Sequence, residues 1–201
     1  MKYPFFASFI VFCLWLMYEI HKKRNQEAKI YQDFVDRENE ANSTRKKPLD
    51  DLKYISIPFD RLPISILTEN ERIKEYVDTL HFLSENPIVN LTGISNTDLK
   101  LTYGAANLDT LAKYDEAYTT LARTLNSWGT LLYDNGYTSE AEQVLSFAIE
   151  TKTDIKKTYL LLAKIYKETE RSEKIKELIS AASETNSLIT DNIVSELTNL
   201  L

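Results

Sequence analysis

The sequence predicts an all-α protein: an N-terminal transmembrane helix and stalk, then a short helical solenoid with a C-terminal capping helix. Three observations carry this expectation. Only 4 glycines and 5 prolines occur in 201 residues, too few for a turn-rich β-sandwich or barrel. An uncharged apolar run stands at the start of the chain, followed at once by basic residues. Two stretches of the C-terminal half, 122–155 and 156–189, repeat one pattern of residue classes.

Tyr3 to Tyr18 (YPFFASFIVFCLWLMY) carries no charge, and as a helix it would extend about 24 Å against a roughly 30 Å hydrocarbon core. Adding Ile20, with Glu19 reaching toward the headgroups, brings it to a tolerated length. Phe5, Phe6, Phe9, Ile10, Val11, Phe12, Leu14 and Leu16 each favour insertion by about 0.3–0.6 kcal/mol. A cleaved leader would need small residues after this run, but His21-Lys22-Lys23-Arg24 follows. Residues 1–20 are therefore expected to anchor the chain in a membrane through residues 3–20. Lys22, Lys23, Arg24 and Lys29 behind the span predict an outside N-terminus and a cytoplasmic soluble part.

Residues 21–48 read as a basic juxtamembrane stalk and linker. Ala28, Tyr31, Phe34, Val35 and Ala41 fall at helical spacing, and Arg45-Lys46-Lys47-Pro48 ends the helix. Residues 49–107 change character. Ile55, Ile57 and Phe59 alternate with polar or proline positions, and Pro58 and Pro63 bar a regular helix. Thr68 and Glu71 are spaced as a capping box for a helix over about 69–83. Asn86 to Asn107 is turn-rich but carries Ile88, Val89, Leu91, Leu99, Leu101 and Tyr103, and reads as a loop packed on a core.

Residues 108–201 form the repeat domain. Leu108 to Leu125 is helical, either capping the array or running into its first helix. Thirty-four residues separate Trp128 from Leu162, Gly129 from Ala163, Leu132 from Tyr166, Ala141 from Ile175, Leu145 from Ile179 and Ala148 from Ala182. Gly136 supplies a left-handed helix stop, and Ser139 with Glu142 a capping box for the next helix. Residues 122–189 thus resemble two units of the tetratricopeptide repeat. That family sets a small residue of its first helix against an alanine 19 positions later, and Gly129/Ala148 and Ala163/Ala182 share this separation. Glu170 in place of Gly136 and Ile175 in place of Ala141 depart from the pattern. The helix after Asn186, with Leu188, Ile189, Ile193, Leu197 and Leu200, is the expected cap. The stretches YISIPFDRLP (Tyr54–Pro63) and NLTGISNTDLKLTYG (Asn90–Gly104) also resemble a group of uncharacterised single-span membrane proteins of clostridia-like bacteria, which implies location and no activity.

Enzymatic chemistry finds little material. One cysteine (Cys13) and two histidines (His21, His81) supply neither a disulfide framework, nor a Cys/His nucleophile pair, nor a zinc set. No Gly-rich phosphate loop is present, so no cofactor is expected. Residues 1–48 carry nine Lys/Arg against six Asp/Glu, whereas the remainder is at net −9, which disfavours nucleic acid. Binding remains. The resemblance implies that the first helix of each pair lines a groove. That face would show Arg123, Asn126, Thr130 and Tyr133, then Lys157, Leu160, Lys164 and Lys167. Four cations there suit an acidic protein or peptide partner. The expected function is a membrane-anchored adaptor without catalysis. The alternative is an exported, membrane-tethered domain acting in envelope assembly. Partner identity and oligomeric state are not legible.

Overall fold

The computed structural model describes residues 4–201, with side chains from Ser8 onward. Among them all regular structure is helical, and β pairing is limited to one antiparallel bridge between Tyr54 and Val89. The helices are α1 (Pro4–Ser43), α2 (Glu71–Ser84), α3 (Asn96–Tyr103), α4 (Leu108–Asp134), α5 (Thr138–Glu150), α6 (Lys156–Glu168), α7 (Lys174–Ser183) and α8 (Thr190–Thr198). A 3-10 turn at Ala105–Asn107 precedes α4. The chain divides into two compact units. One joins the N-terminal residues through Lys47 with Ser95–Asn107, and the other joins Pro48–Ile94 with Leu108–Leu201. The first unit is therefore discontinuous, unlike the sequential segments the sequence suggested.

In the first unit α1 runs unbroken for 40 residues, so the segments expected as span and stalk form one helix. Its N-terminal part is apolar and exposed: Phe9, Val11, Leu14, Trp15, Met17 and Ile20 each show more than half of their surface. No helix among the described residues is long and apolar enough to cross a membrane. Tyr3 and the side chains of Phe5 and Phe6, on which the expected span depends, lie outside the described residues.

Residues 86–107, expected to be a loop, instead contain helix α3. Ser95 caps it: its hydroxyl accepts from the Asp98 amide and donates to the Asp98 carboxylate at 2.6 Å. The α3 side chains then grip the end of α1. Arg37 pairs with Asp98, the Thr97 hydroxyl donates to Glu38, and Lys100 reaches Asn42 at 2.8 Å. The basic knot that follows is tied down too. The Lys47 amide donates to the Tyr103 carbonyl at 2.9 Å, and the buried Asn107 amide group donates to the carbonyls of Lys47 and Tyr103. Gly104 is required here, since a Cβ would lie 2.2 Å from the Arg45 carbonyl oxygen at φ 90°.

In the second unit the extended segment after Pro48 lays Ile55, Ile57, Phe59, Leu62 and Ile64 on the helical core. The start of α2 falls two residues later than the capping-box spacing indicated. Asn70, not Thr68, accepts from the Arg72 and Ile73 amides, because an Asn carbonyl reaches N2 and N3 directly. The segment 108–125 is the start of one unbroken helix, since α4 continues for 27 residues to Asp134. Leu121, Leu125, Trp128 and Leu132 are fully buried along it, on a 3–4 residue spacing that faces α5 and α2.

The sequence period has a backbone counterpart. Gly136 stops α4 at φ 85°, with the Gly136 amide on the Tyr133 carbonyl and the Tyr137 amide on that of Leu132. Glu170 stops α6 in the same way at φ 57°, with its amide on Lys167 and the Arg171 amide on Tyr166. The departure in sequence therefore leaves the stop intact but puts a Cβ where none is favoured. A left-handed non-glycine residue costs about 1–2 kcal/mol, and glycine's greater unfolded freedom returns part of that. Glu170→Gly is accordingly expected to raise stability by up to about 1 kcal/mol, read as a higher urea midpoint at constant m-value. A lower midpoint would show that Glu170 makes a compensating contact.

Two expectations at the ends of the repeats need correction. Ser139 and Glu142 form no capping box, and α5 begins after Tyr137 without any side-chain cap. Glu142 is taken instead by Arg171, whose two terminal nitrogens meet its two oxygens, the first at 2.8 Å. At the other end Leu188 lies wholly exposed before α8, and Ile189 is exposed as well, whereas Ile193 and Leu197 are buried. These two stand one full repeat after Tyr159 and Ala163, so α8 takes the register of a further first helix. Where α6 buries Thr158, Leu162 and Ile165, α8 carries Asn192, Glu196 and Asn199, none of them buried.

Candidate functional site: the α4–α6 face

The eight residues expected to line a groove fall on one stripe of α4 and one of α6, at offsets of 3, 7 and 10 from Arg123 and from Lys157. On a helix these offsets share a face. The two stripes are joined by side chains. The Thr158 hydroxyl, buried on α6, donates to the Asn126 carbonyl oxygen at 3.1 Å, and the Thr130 hydroxyl donates to the Asn126 backbone carbonyl at 2.7 Å. Toward the C-terminal ends of the helices, the Tyr133 hydroxyl sits 2.7 Å from both carboxylate oxygens of Glu168. The Lys164 ammonium lies 4.9 Å from the Tyr133 ring centroid and 3.9 Å from Glu168. The structure thus joins Asn126 to Thr130 and Thr158, and separately Tyr133 to Lys164 and Glu168, with Leu160 half-buried on α6.

The four cations are not equivalent. Arg123, Lys157 and Lys167 are exposed and form no ion pair among the described residues. Lys164 is already committed. The Tyr133 hydroxyl first, then the Glu168 and Asp134 carboxylates, hold its ammonium above the ordinary lysine range. Both Glu168 and the buried Thr158 belong to this face and were missed from the sequence. A signal for Glu168 existed, since it lies one full repeat after Asp134, so each first helix ends on an acid.

Behind the face, the residues expected to pack the repeats are buried: Trp128, Gly129, Leu132, Ala141, Leu145, Ala148, Leu162, Ala163, Tyr166 and Ala182, while Ile179 is half-buried and Gly136 exposed. The closest approach at Gly129 is to Leu145. A Cβ there would meet the Leu145 side chain, at 2.6 Å from Cδ2 and 2.7 Å from Cγ, and Ala148 is not among its nearest neighbours. Glycine at 129 makes room for the Leu145 side chain on α5. On the opposite side, Arg171 and Lys174 place their cations 5.3 Å from the Tyr166 ring while sharing Glu142, which clasps α5 to α7.

No group of three or more His, Cys, Asp or Glu residues that could hold a metal ion occurs among the described residues. His81 stacks on Phe59 with centroids 4.4 Å apart, a packing contact. Asn90, within an Asn-Leu-Thr sequence, donates to the carbonyls of Thr151 and Lys152 at 3.0 and 3.1 Å, closing the C-terminal end of α5. The chemistry available on the α4–α6 face is that of hydrogen-bond donors and cations: it can hold a carboxylate. No family model matches the chain, and no curated protein or solved structure matches it either.

Proposed function

We propose that this protein is a membrane-anchored adaptor that holds an acidic protein or peptide on the α4–α6 face of a tetratricopeptide-like array. The observation that carries the reading is the set of exposed cations Arg123, Lys157 and Lys167 on that face, without an ion pair among the described residues, in a unit otherwise rich in acids. A partner carboxylate would gain charge-assisted hydrogen bonds there without first breaking an internal pair. The anchor is the start of α1. Its exposed apolar residues from Phe9 to Ile20 need an apolar environment, and Lys22, Lys23 and Arg24 suit anionic headgroups behind it. In this reading the N-terminus lies outside and the array in the cytoplasm. Tethering raises the effective concentration, so modest affinity is sufficient.

The direct test uses the full chain in maltoside micelles and a fluorescent ten-residue Glu/Ser peptide. Lys157→Glu combined with Lys167→Glu is expected to weaken binding at least tenfold at low salt, with far-UV circular dichroism unchanged. Binding equal to that of the parent removes the groove from the proposal. A reporter active on one side of the membrane, joined to Leu201, separates the cytoplasmic arrangement from an exported domain.

A further inference from the structure

Glu168 stands in a place that costs its own helix. It is the last residue of α6, where an anion opposes the helix dipole, and it follows Lys164 by four residues, the weaker orientation for such a pair. Local helix stability therefore does not explain it. Its contacts do. The carboxylate rests on the Tyr133 hydroxyl through both oxygens at 2.7 Å, with the Lys164 ammonium 3.9 Å away. Tyr133 comes from α4 and Lys164 from α6, so Glu168 occupies the point where the two stripes meet. Its side chain is 46% exposed, so solvent reaches it and a competing carboxylate can displace it.

We propose that Glu168 is a built-in pseudo-ligand: its carboxylate fills an acid-recognition subsite made by Tyr133 and Lys164, and an incoming acidic side chain must displace it. This rests on the groove reading above and adds a regulated subsite to it. The partner is narrowed in consequence. It must offer a carboxylate at the Tyr133–Lys164 end, and its other acidic groups fall on the free cations Lys157 and Arg123. Because one carboxylate replaces another, the exchange adds no net ion pair at this subsite, which favours a partner whose second acid reaches Lys157 or Arg123 over one that brings a single acid.

The test compares the Glu/Ser peptide's affinity for the full chain with that for Glu168→Gln and Glu168→Ala. Both variants are expected to bind about fivefold more tightly than the parent. Glu170→Gln, which removes one negative charge two residues away, is expected to change affinity less than 1.5-fold. With Lys164→Met in the background, the gain from Glu168→Gln is expected to vanish, since the subsite then lacks its cation. Unchanged or weaker binding by both Glu168 variants overturns the pseudo-ligand, as does an equal gain from Glu170→Gln. Binding by the parent with no gain from either variant sinks this inference alone. No binding by the parent or by any variant sinks the groove reading and this inference with it.

Discussion

Gly129→Leu is expected to abolish the cooperative unfolding transition of the helical unit, and Gly129→Ala to lower its stability by about 1–2 kcal/mol through overpacking. The alanine case decides the matter because two effects oppose. Replacing glycine by alanine within a helix contributes about 1 kcal/mol of stability through propensity alone. Against this, the new Cβ would lie 2.6 and 2.7 Å from Leu145 Cδ2 and Cγ. Cγ is the branch point of that side chain, so it cannot yield by swinging a methyl group. Leu145, Trp128 and Leu132 are fully buried, and a close-packed interior takes a displaced leucine only at a cost. Overpacking of this kind costs about 1–3 kcal/mol, and the four carbons of leucine exceed that range. Urea unfolding of the full chain in micelles, followed by near-UV circular dichroism, reads the effect. Leu145→Ala combined with Gly129→Ala should be more stable than the two single losses added together, by about 1–2 kcal/mol, because the new methyl enters the space vacated. A Gly129→Ala variant at least as stable as the parent would show that the α4–α5 approach is looser than the structure has it.

How far the sequence led can be judged at particular residues. The helical class followed from the low glycine and proline content, and burial at Leu125, Trp128, Leu132, Tyr159 and Leu162 follows the helical spacing. Helix α3 was hidden because Asn96, Gly93 and Gly104 read as turn residues, whereas Ser95 and Asp98 cap each other and overcome that preference. The Glu142–Arg171 clasp was hidden for another reason. A capping box and a long-range ion pair draw on the same glutamate, and only the packing of α5 beside α7 settles which forms. Stripe positions on the candidate face were legible from the period, since each full repeat returns the chain to an equivalent helix. The state of each cation was not. That Lys164 is held by Tyr133 and Glu168 while Lys157 is free depends on side chains meeting across two helices.

The second large effect is expected at alkaline pH. Two tyrosines, Tyr118 and Tyr159, have their side chains in the core, with 3% and 0% of their surface exposed. Burial, more than the nearby Asp154 carboxylate, pushes the Tyr159 phenol up to about 12, and burial raises Tyr118 as well. In an unfolded chain both would ionise near 10. Between pH 10 and 12 the folded chain therefore holds protons that the unfolded chain has released, and the free energy of unfolding falls as pH rises through that interval. Below pH 10 the contribution is fully present. Tyr159 alone gives up about 2–3 kcal/mol by pH 12, and Tyr118 adds to it, against a total of about 5–15 kcal/mol for an ordinary domain. Cooperative loss of near-UV dichroism is expected between about pH 10.5 and 12, about one unit from where surface phenols ionise. The two hydroxyls predict different variants. Tyr118 donates to the Thr151 carbonyl at 3.2 Å, but Asn90 donates to the same oxygen at 3.0 Å, so Tyr118→Phe strands no acceptor. It should cost about 1 kcal/mol at pH 7 and move the alkaline midpoint upward. Tyr159 donates to the Thr153 carbonyl at 2.8 Å, and no second side-chain donor reaches that oxygen among the described residues, so Tyr159→Phe should cost about 1–3 kcal/mol at pH 7. Phenolate absorbance that reached the full count of 12 tyrosines before any dichroism was lost would place these two hydroxyls in water and refute the buried assignment.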